Sequence, residues 1–447
     1  MGENTASSRR SLQEINNRVE GERTLQVITP IFVLAVNEFK QDSGGTIRII
    51  GLLQQLVNLD RPIYLLSNAS GEQLLRFPKE IQHIHINHIF GREEKRKFQG
   101  RLGVFPNFLM KRWYNDFLMK FKTISKTFAL ETHDILTCEY LDNSLGYFLK
   151  SNGLIKGYVN DLHGVATLEF KFQAQFEKKL VRKTSFWLKY LVSDLLDAKV
   201  CNHAKGMIYA SESMKSFFQK TYPTLENTPS VILPYLLSDG FDQVAIDKEL
   251  LANLGEKFEI GQEDKVILFA GGFKQTGGIQ DLVTAFENVY LSNKDIKLIL
   301  IGDGPTFKAV QEQVENSPAK NNIYLVGRTP YHHLRTYQEL ADILVCPDRQ
   351  NVYSELIIHV KYLDALASGK LVINGSFASV MEINQEEKLS LTFKPSNIDS
   401  LTSALTKALH YQETLSKKYE GNLNYVRQHL TYASQTKSFQ SLSNLLA

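Results

Sequence analysis

The sequence predicts an α/β protein made of two domains, each with a parallel sheet flanked by helices. Three observations carry this reading. The chain has 447 residues, beyond the length at which a single hydrophobic core usually stops growing. Apolar runs of strand length recur along it, each followed by a glycine- or serine-bearing turn and then a helical pattern, and that order favours parallel pairing. Two such series are separated by residues 236–264, LLSDGFDQVAIDKELLANLGEKFEIGQED, a polar and turn-rich stretch without a sustained strand pattern. The domain boundary is placed there, giving a first domain over 25–237 and a second over 238–429.

Composition narrows the classes. Hydrophobic residues make up 43% and charged residues 22%, as in an ordinary water-soluble globular protein. A net charge of +3 is too small to point to nucleic acid. Cys138, Cys201 and Cys346 lie far apart and form no CxxC. They read as reduced, buried thiols of a cytoplasmic protein rather than a disulfide or zinc framework. No apolar run reaches the roughly 18 residues that span a bilayer. The first 22 residues lack the apolar segment of a secretory signal, so residues 1–24 are expected to be a flexible tail.

In the first domain, LQVITPIFVLAV (25–36) is the opening apolar run. Pro30 cannot donate to a sheet ladder, so the strand is expected after it. Ser43-Gly44-Gly45 is a turn, and Ile47, Ile50, Leu53, Leu56 and Val57 then recur at helical spacing. PIYLLS (62–67) is the next strand and completes a βαβ unit. Gly44 and Gly45 let the backbone approach a ligand, and the helix start behind them supplies free N–H groups. A plain tight turn explains the same residues equally well. IQHIHI (81–86) alternates, which puts His83 and His85 on one strand face. With no acidic or cysteine partner nearby, a half-exposed strand is a simpler reading than a metal site.

Residues 92–126 carry ten Lys/Arg against three acidic residues, interleaved with Phe98, Phe105, Phe108, Trp113, Tyr114, Phe117 and Phe121. Basic residues mixed with large aromatics suit an anionic membrane surface or a lipid-linked substrate. An inward-packed helix with solvated charges is the other reading. A second basic, aromatic stretch follows at 169–196. Between them sit DILTCEY (134–140) and then LIKGYVNDLHGV (154–165), the latter reading as a strand that ends in Asn160-Asp161-Leu162-His163-Gly164. Polar residues at the carboxyl end of a strand are where open α/β sheets place ligands. GMIYASESMKSFF (206–218) and VILPY (231–235) close this half.

The second half opens with KVILFAGGFKQTGGIQDLVTAFENV, again strand, glycine turn and helix. KLILIGDGPTFKAVQEQV and NIYLVGRTPYHHLRTYQELADILVCPD repeat the pattern. Loops at these strand ends, beside helix N-termini, are good phosphate sites. The stretch Tyr353–Gly375, YSELIIHVKYLDALASGKLVING, follows, with Lys361 and Asp364 at helical spacing near a common face. A cation and a carboxylate there can meet a phosphate and a ribose; a surface ion pair is the plainer alternative. Residues 401–447 read as helices, and Leu415 to Ala447 is long enough to cross back onto the first domain.

Several motifs in this order resemble those of the retaining GT-B glycosyltransferases, the family-four-like enzymes. Leu300-Ile301-Gly302-Asp303-Gly304-Pro305, Val326-Gly327-Arg328, Ala341 to Asp348, and His359-Val360-Lys361 through Ile373 carry the resemblance. It is best over 265–395 and weaker over 25–235. It implies two Rossmann-like domains facing across a cleft, with a C-terminal helix, about 430–447, crossing back. It further implies that a nucleotide sugar, a UDP- or GDP-sugar, binds in the cleft as a substrate, with no metal and no cofactor. By position Asp364 takes the ribose, Glu355 touches the donor sugar, Gly44-Gly45 face the diphosphate and His163 lies near the transferring sugar. Lys274, Gly302, Arg328 and Lys361 complete the implied donor site. The acceptor would be a glycan, a glycolipid or a small molecule.

The sequence departs from that pattern in two ways. Glu355 stands one position off the usual carboxylate spacing, and the second carboxylate is an aspartate. The diphosphate turn AGGFKQTGG has Gly272 and Gly277 where the family carries an arginine and a lysine. Lys274 is the cation left in that turn, with Arg328, Arg349 or Lys361 as the other candidates. A non-catalytic GT-B subunit of a glycosylation complex therefore stands as the alternative, and a sugar-nucleotide epimerase as a weaker one.

Overall fold

The computed structural model describes residues 29–40, 44–86, 111–162, 164–238 and 240–447, with only the backbone described at 111–117, 120 and 166. His163, the tail at 1–24 and residues 92–110 of the basic segment lie outside the described residues.

The first domain is a seven-stranded parallel sheet in the order β3-β2-β1-β4-β5-β6-β7. Its strands are β1 (Ile31–Ala35), β2 (Ile63–Ser67), β3 (Ile81–His85), β4 (Asp134–Thr137), β5 (Gly157–Leu162), β6 (Gly206–Tyr209) and β7 (Ser230–Ile232). As expected, β1 begins directly after Pro30, and its five residues are all buried. Burial on both faces explains why it reads as a continuous apolar run rather than an alternating one. β1 and β2 pair from Ile31↔Ile63 to Ala35↔Ser67. On β3, His83 shares a hydrogen bond with Ser67 Oγ at 2.9 Å. Its ring lies 6.0 Å from that of His85, and among the described residues no group of three metal-ligating side chains stands together.

The second domain is a six-stranded parallel sheet in the order β10-β9-β8-β11-β12-β13. Its strands are β8 (Lys265–Ala270), β9 (Ile296–Ile301), β10 (Ile323–Gly327), β11 (Ile343–Cys346), β12 (Leu371–Gly375) and β13 (Leu391–Phe393). In each sheet the chain starts in the middle, runs to one edge, returns and runs to the other. That reversal opens a crevice beyond the strand ends. The two domains face each other across this crevice, and residues of both line it.

The polar boundary stretch contains a helix, Lys248–Lys257, whose N-cap Asp247 accepts from Leu250 N. The chain crosses between domains twice, and the two crossings touch. Leu237 N donates to Leu430 O at 2.9 Å, and Tyr432 N donates to Leu237 O at 3.3 Å. The last helix, Thr436–Leu445, then packs beside β7. Phe439, Leu442 and Leu446 join the core of the first domain with Ile31 and Val33.

Candidate functional site

The site begins with what holds the glycine turns in place. After β8, residues Gly271 to Gly278 are pinned by Gly271 N to Ile301 O at 2.9 Å and Phe273 N to Asp303 O at 3.0 Å. The approach is so close that a Cβ on Gly302, at φ +135, would lie 1.8 Å from Gly271 O. A Cβ on Gly278, at φ +65, would lie 1.8 Å from Pro347 O. Gly302 therefore does structural work: it lets the β9 loop seat the β8 turn at the mouth of the sheet.

Three adjoining pockets run along the crevice. The first, about 420 Å³, is lined by Gly44 and Gly45 from one domain, and by Gly271, Gly272, Lys274, Gly277 and Lys361 from the other. The helices Gly44–Leu56 and Val360–Ala367 both begin here. The second pocket, about 780 Å³, shares Gly271, Gly272 and Lys361 with the first and adds Gly302, Arg328, Tyr331 and Asp364. The third, about 330 Å³, lies in the first domain behind Gly45 and Tyr235. Glu139, Asp161, Glu169 and Asp197 give it an acidic lining.

The fold thus brings together Gly44, Gly45, Lys274, Gly302, Arg328, Lys361 and Asp364. Asp364 is half-buried and accepts from the Tyr331 hydroxyl at 2.8 Å. Burial pushes its carboxyl up to about 6, with the Tyr331 hydrogen bond pulling the other way. Lys361 Nζ is 2.7 Å from Asp348 Oδ1. His359, the N-cap of the Lys361 helix, is brought down to about 4 by burial and so stays neutral near pH 7. In the acidic pocket, burial pushes Asp197 up to about 7 although Thr167 donates to it.

Two expectations fail on geometry. Glu355 is not among the residues lining these pockets. Its carboxylate caps the helix Ala378–Met381, accepting from Ala378 N at 2.6 Å. The reason lies in the helix Val352–Leu356: positions i and i+2 sit about 200° apart, so presenting Tyr353 to the cleft turns Glu355 away. Arg349 is likewise unavailable to a diphosphate. Its guanidinium binds Asp281 at 2.7 and 2.6 Å, and Arg349 N is held by Thr276 O at 2.8 Å.

Sequence reasoning missed Arg48, which is fully buried. It makes a bidentate pair with Asp161 at 2.9 and 2.6 Å and donates to Leu233 O and Pro234 O, each at 2.9 Å. This knot ties the Gly44–Leu56 helix to the ends of β5 and β7 and fixes Gly44-Gly45 at the cleft. The only signal was one arginine inside the apolar run Ile47–Leu53. Tyr235 and Tyr353, shared by two pockets, were missed as well, because aromatic residues read as core. Across the boundary, Ser211 Oγ donates to Leu356 O at 2.6 Å. That bond holds the Tyr353 helix against the first domain, and Glu382 Oε1, at the end of the helix Ala378–Met381, accepts from Ser213 N at 2.7 Å beside it.

The fold and this cleft define the class: a protein with the GT-B fold of the glycosyltransferases. Residues 252–422 match the family model described as Glycosyl transferases group 1, which bears out the resemblance read from the motifs. Among curated relatives, the alpha-monoglucosyldiacylglycerol synthase of Streptococcus pneumoniae is 25% identical over 42% of this chain and 40% of its own length. The N-acetyl-alpha-D-glucosaminyl L-malate synthase of Bacillus anthracis is 24% identical over 32% of this chain and 36% of its own. The chain thus spans less than half the length of these two relatives. Among solved structures, sucrose-phosphate synthase of Thermosynechococcus elongatus superimposes with a TM-score of 0.68 at 15% identity, covering 93% of this chain and 98% of that one. Anabaena HepE in complex with UDP-glucose gives 0.64 at 12% identity, covering 93% and 99%.

Proposed function

We propose that the protein is a glycosyltransferase that moves a sugar from a nucleotide-sugar donor to an acceptor hydroxyl, with retention and without a metal ion. The observation that carries this is the crevice itself. Two glycine turns and two helix N-termini converge on one pocket with Lys274 and Lys361, and Asp364 stands in the next. In this reading the diphosphate lies on the glycine turns, where backbone N–H groups, helix dipoles and lysine charge stabilise it as it departs. The ionised Asp364 carboxylate accepts the ribose hydroxyls. The acidic pocket beyond Gly45 takes the acceptor, and carboxylates there favour an uncharged polyhydroxylated group over a phosphorylated one.

The acceptor side also supports a lipid-linked substrate at an anionic membrane surface. The pocket is lined from the helices Ala166–Phe176 and Leu180–Asn202, which supply Glu169 and Asp197. Leu180, Leu188, Leu191 and Leu195 recur on one face of the second helix, and all are exposed. Lys178, Lys179, Arg182 and Lys183 cluster at its start. Exposed apolar surface beside cations suits an anionic bilayer. Among the described residues no helix is long and apolar enough to cross a membrane, so contact would be peripheral, on the cytoplasmic face, with the basic 92–126 segment as a second contact.

Calorimetric titration with UDP, GDP, CDP and ADP, followed by their sugar conjugates, tests the donor reading. Binding of one nucleotide and transfer from its conjugate is the expected result. The alternative, a non-catalytic GT-B subunit, is favoured by Gly272 and Gly277 standing at the cation positions and by Glu355 capping a helix. It would be adopted if cooperatively melting protein bound none of the four.

A further inference from the structure

Within the nucleotide-sugar reading above, on which this inference rests, we propose that Asp348 competes with the donor diphosphate for Lys361. It thereby sets how tightly the nucleotide is held and how readily it leaves. Lys361 lies between the diphosphate pocket and the ribose pocket, lining both. Its charge is already engaged: Nζ lies 2.7 Å from Asp348 Oδ1, with the two side chains 18% and 5% exposed.

Asp348 depends on this partner. The residue is buried, and its second oxygen, Oδ2, is enclosed with no hydrogen-bond partner. Among the described residues Lys361 is thus the one side chain that hydrogen-bonds this carboxylate. A buried carboxylate with a single donor holds that donor strongly, because losing it would leave an uncompensated charge. A diphosphate reaching the cleft must share Lys361 with a fixed anion close by. The neighbouring Arg349 is tied to Asp281 in the same way. Of the cations expected at this subsite, Lys274 and Arg328 form no ion pair among the described residues, and both are exposed. The subsite thus keeps these two cations at its exposed rim while its buried lysine is held back by Asp348, so the departing nucleotide is gripped less tightly than an unpaired Lys361 would grip it.

The test is calorimetry with UDP and GDP on Asp348→Asn, which keeps the side-chain shape and an oxygen facing Lys361 but removes the charge. The expected result is a Kd lower by about tenfold or more, the size of one charge-assisted contact, with stronger product inhibition. General damage to the site would move affinity the other way. The second variant is the double substitution Asp348→Asn with Lys361→Met, which replaces the buried pair by a neutral one and so preserves packing. It is expected to lose the tightening gained by Asp348→Asn, binding about tenfold or more weakly than that variant, since the released Lys361 charge is what the single substitution adds. Unchanged or weaker binding by folded Asp348→Asn would overturn the proposal. If that variant does not fold, Asp348→Ser, which also removes the charge, takes its place, and unchanged or weaker nucleotide binding by it would overturn the proposal. An unaltered protein that binds neither nucleotide would sink the donor reading itself, and this inference with it.

Discussion

Asp364 shows how a single side chain links burial to binding. Partial burial pushes its carboxyl up to about 6, and only the ionised form accepts hydroxyl hydrogens with full charge. Ribose binding favours that form. Nucleotide affinity should therefore rise as pH rises toward 6 and level off above it, whereas Asp364→Asn should show no such slope. Calorimetry between pH 5 and 8 checks this, and Asp364→Ala should bind about tenfold or more weakly at pH 7.5. Arg48 and Asp161 allow a stability test at the same scale. Asp161→Ala would strand a fully buried guanidinium, and about 3–5 kcal/mol should be lost in urea unfolding. The place of Asp364 at the crevice was legible because it stands at a fixed position in an ordered set of motifs. Arg48 was not, since one arginine in a helical apolar run resembles any surface residue until the opposing strand ends are known. Glu355 was misread for a related reason: its proximity in sequence to the motif did not reveal which side of a short helix it occupies.

At the level of elements, strands buried on both faces were the most legible parts. β1, β2, β4, β5, β6, β8, β9, β11 and β12 all begin or run where apolar stretches do. β13 was missed because three residues, Leu391–Phe393, are too few to establish a period at a sheet edge. The helix Lys248–Lys257 was hidden by its polar composition, since within it only Leu254 is buried. The glycine turn was legible as a turn at the mouth of the sheet, but the reason for its individual glycines was not. Gly302 and Gly278 are needed by the neighbouring backbone. Gly302→Ala should therefore lower stability by about 3 kcal/mol or more, seen as a clear drop in melting temperature. A Gly271→Ala change meets only side-chain atoms at 3.1 Å and beyond and should be milder.

Over the whole molecule, the two-domain arrangement and the return of the C-terminal helix were legible from the order of patterns and the length of the tail. The contacts that lock the return were not. Gly51, inside the Gly44–Leu56 helix, packs so closely on Tyr432 that a Cβ would lie 2.1 Å from the ring. The Tyr432 hydroxyl also donates to Arg48 O at 3.2 Å. Alanine at position 51 should gain up to about 1 kcal/mol in helix propensity. It should still give a less stable protein, by about 1–3 kcal/mol, because the ring has to move. A rise in the melting temperature of Gly51→Ala would show that the return segment is not seated on this helix. The side-by-side crossings at Leu237 and Thr431 have a mechanical consequence. Two strands of chain bonded to each other act as a hinge pin, so the halves can swing like a book about its spine but resist sliding or twisting apart. Labels at the rims of the cleft should change separation when nucleotide binds, while labels flanking Leu237 and Thr431 keep theirs.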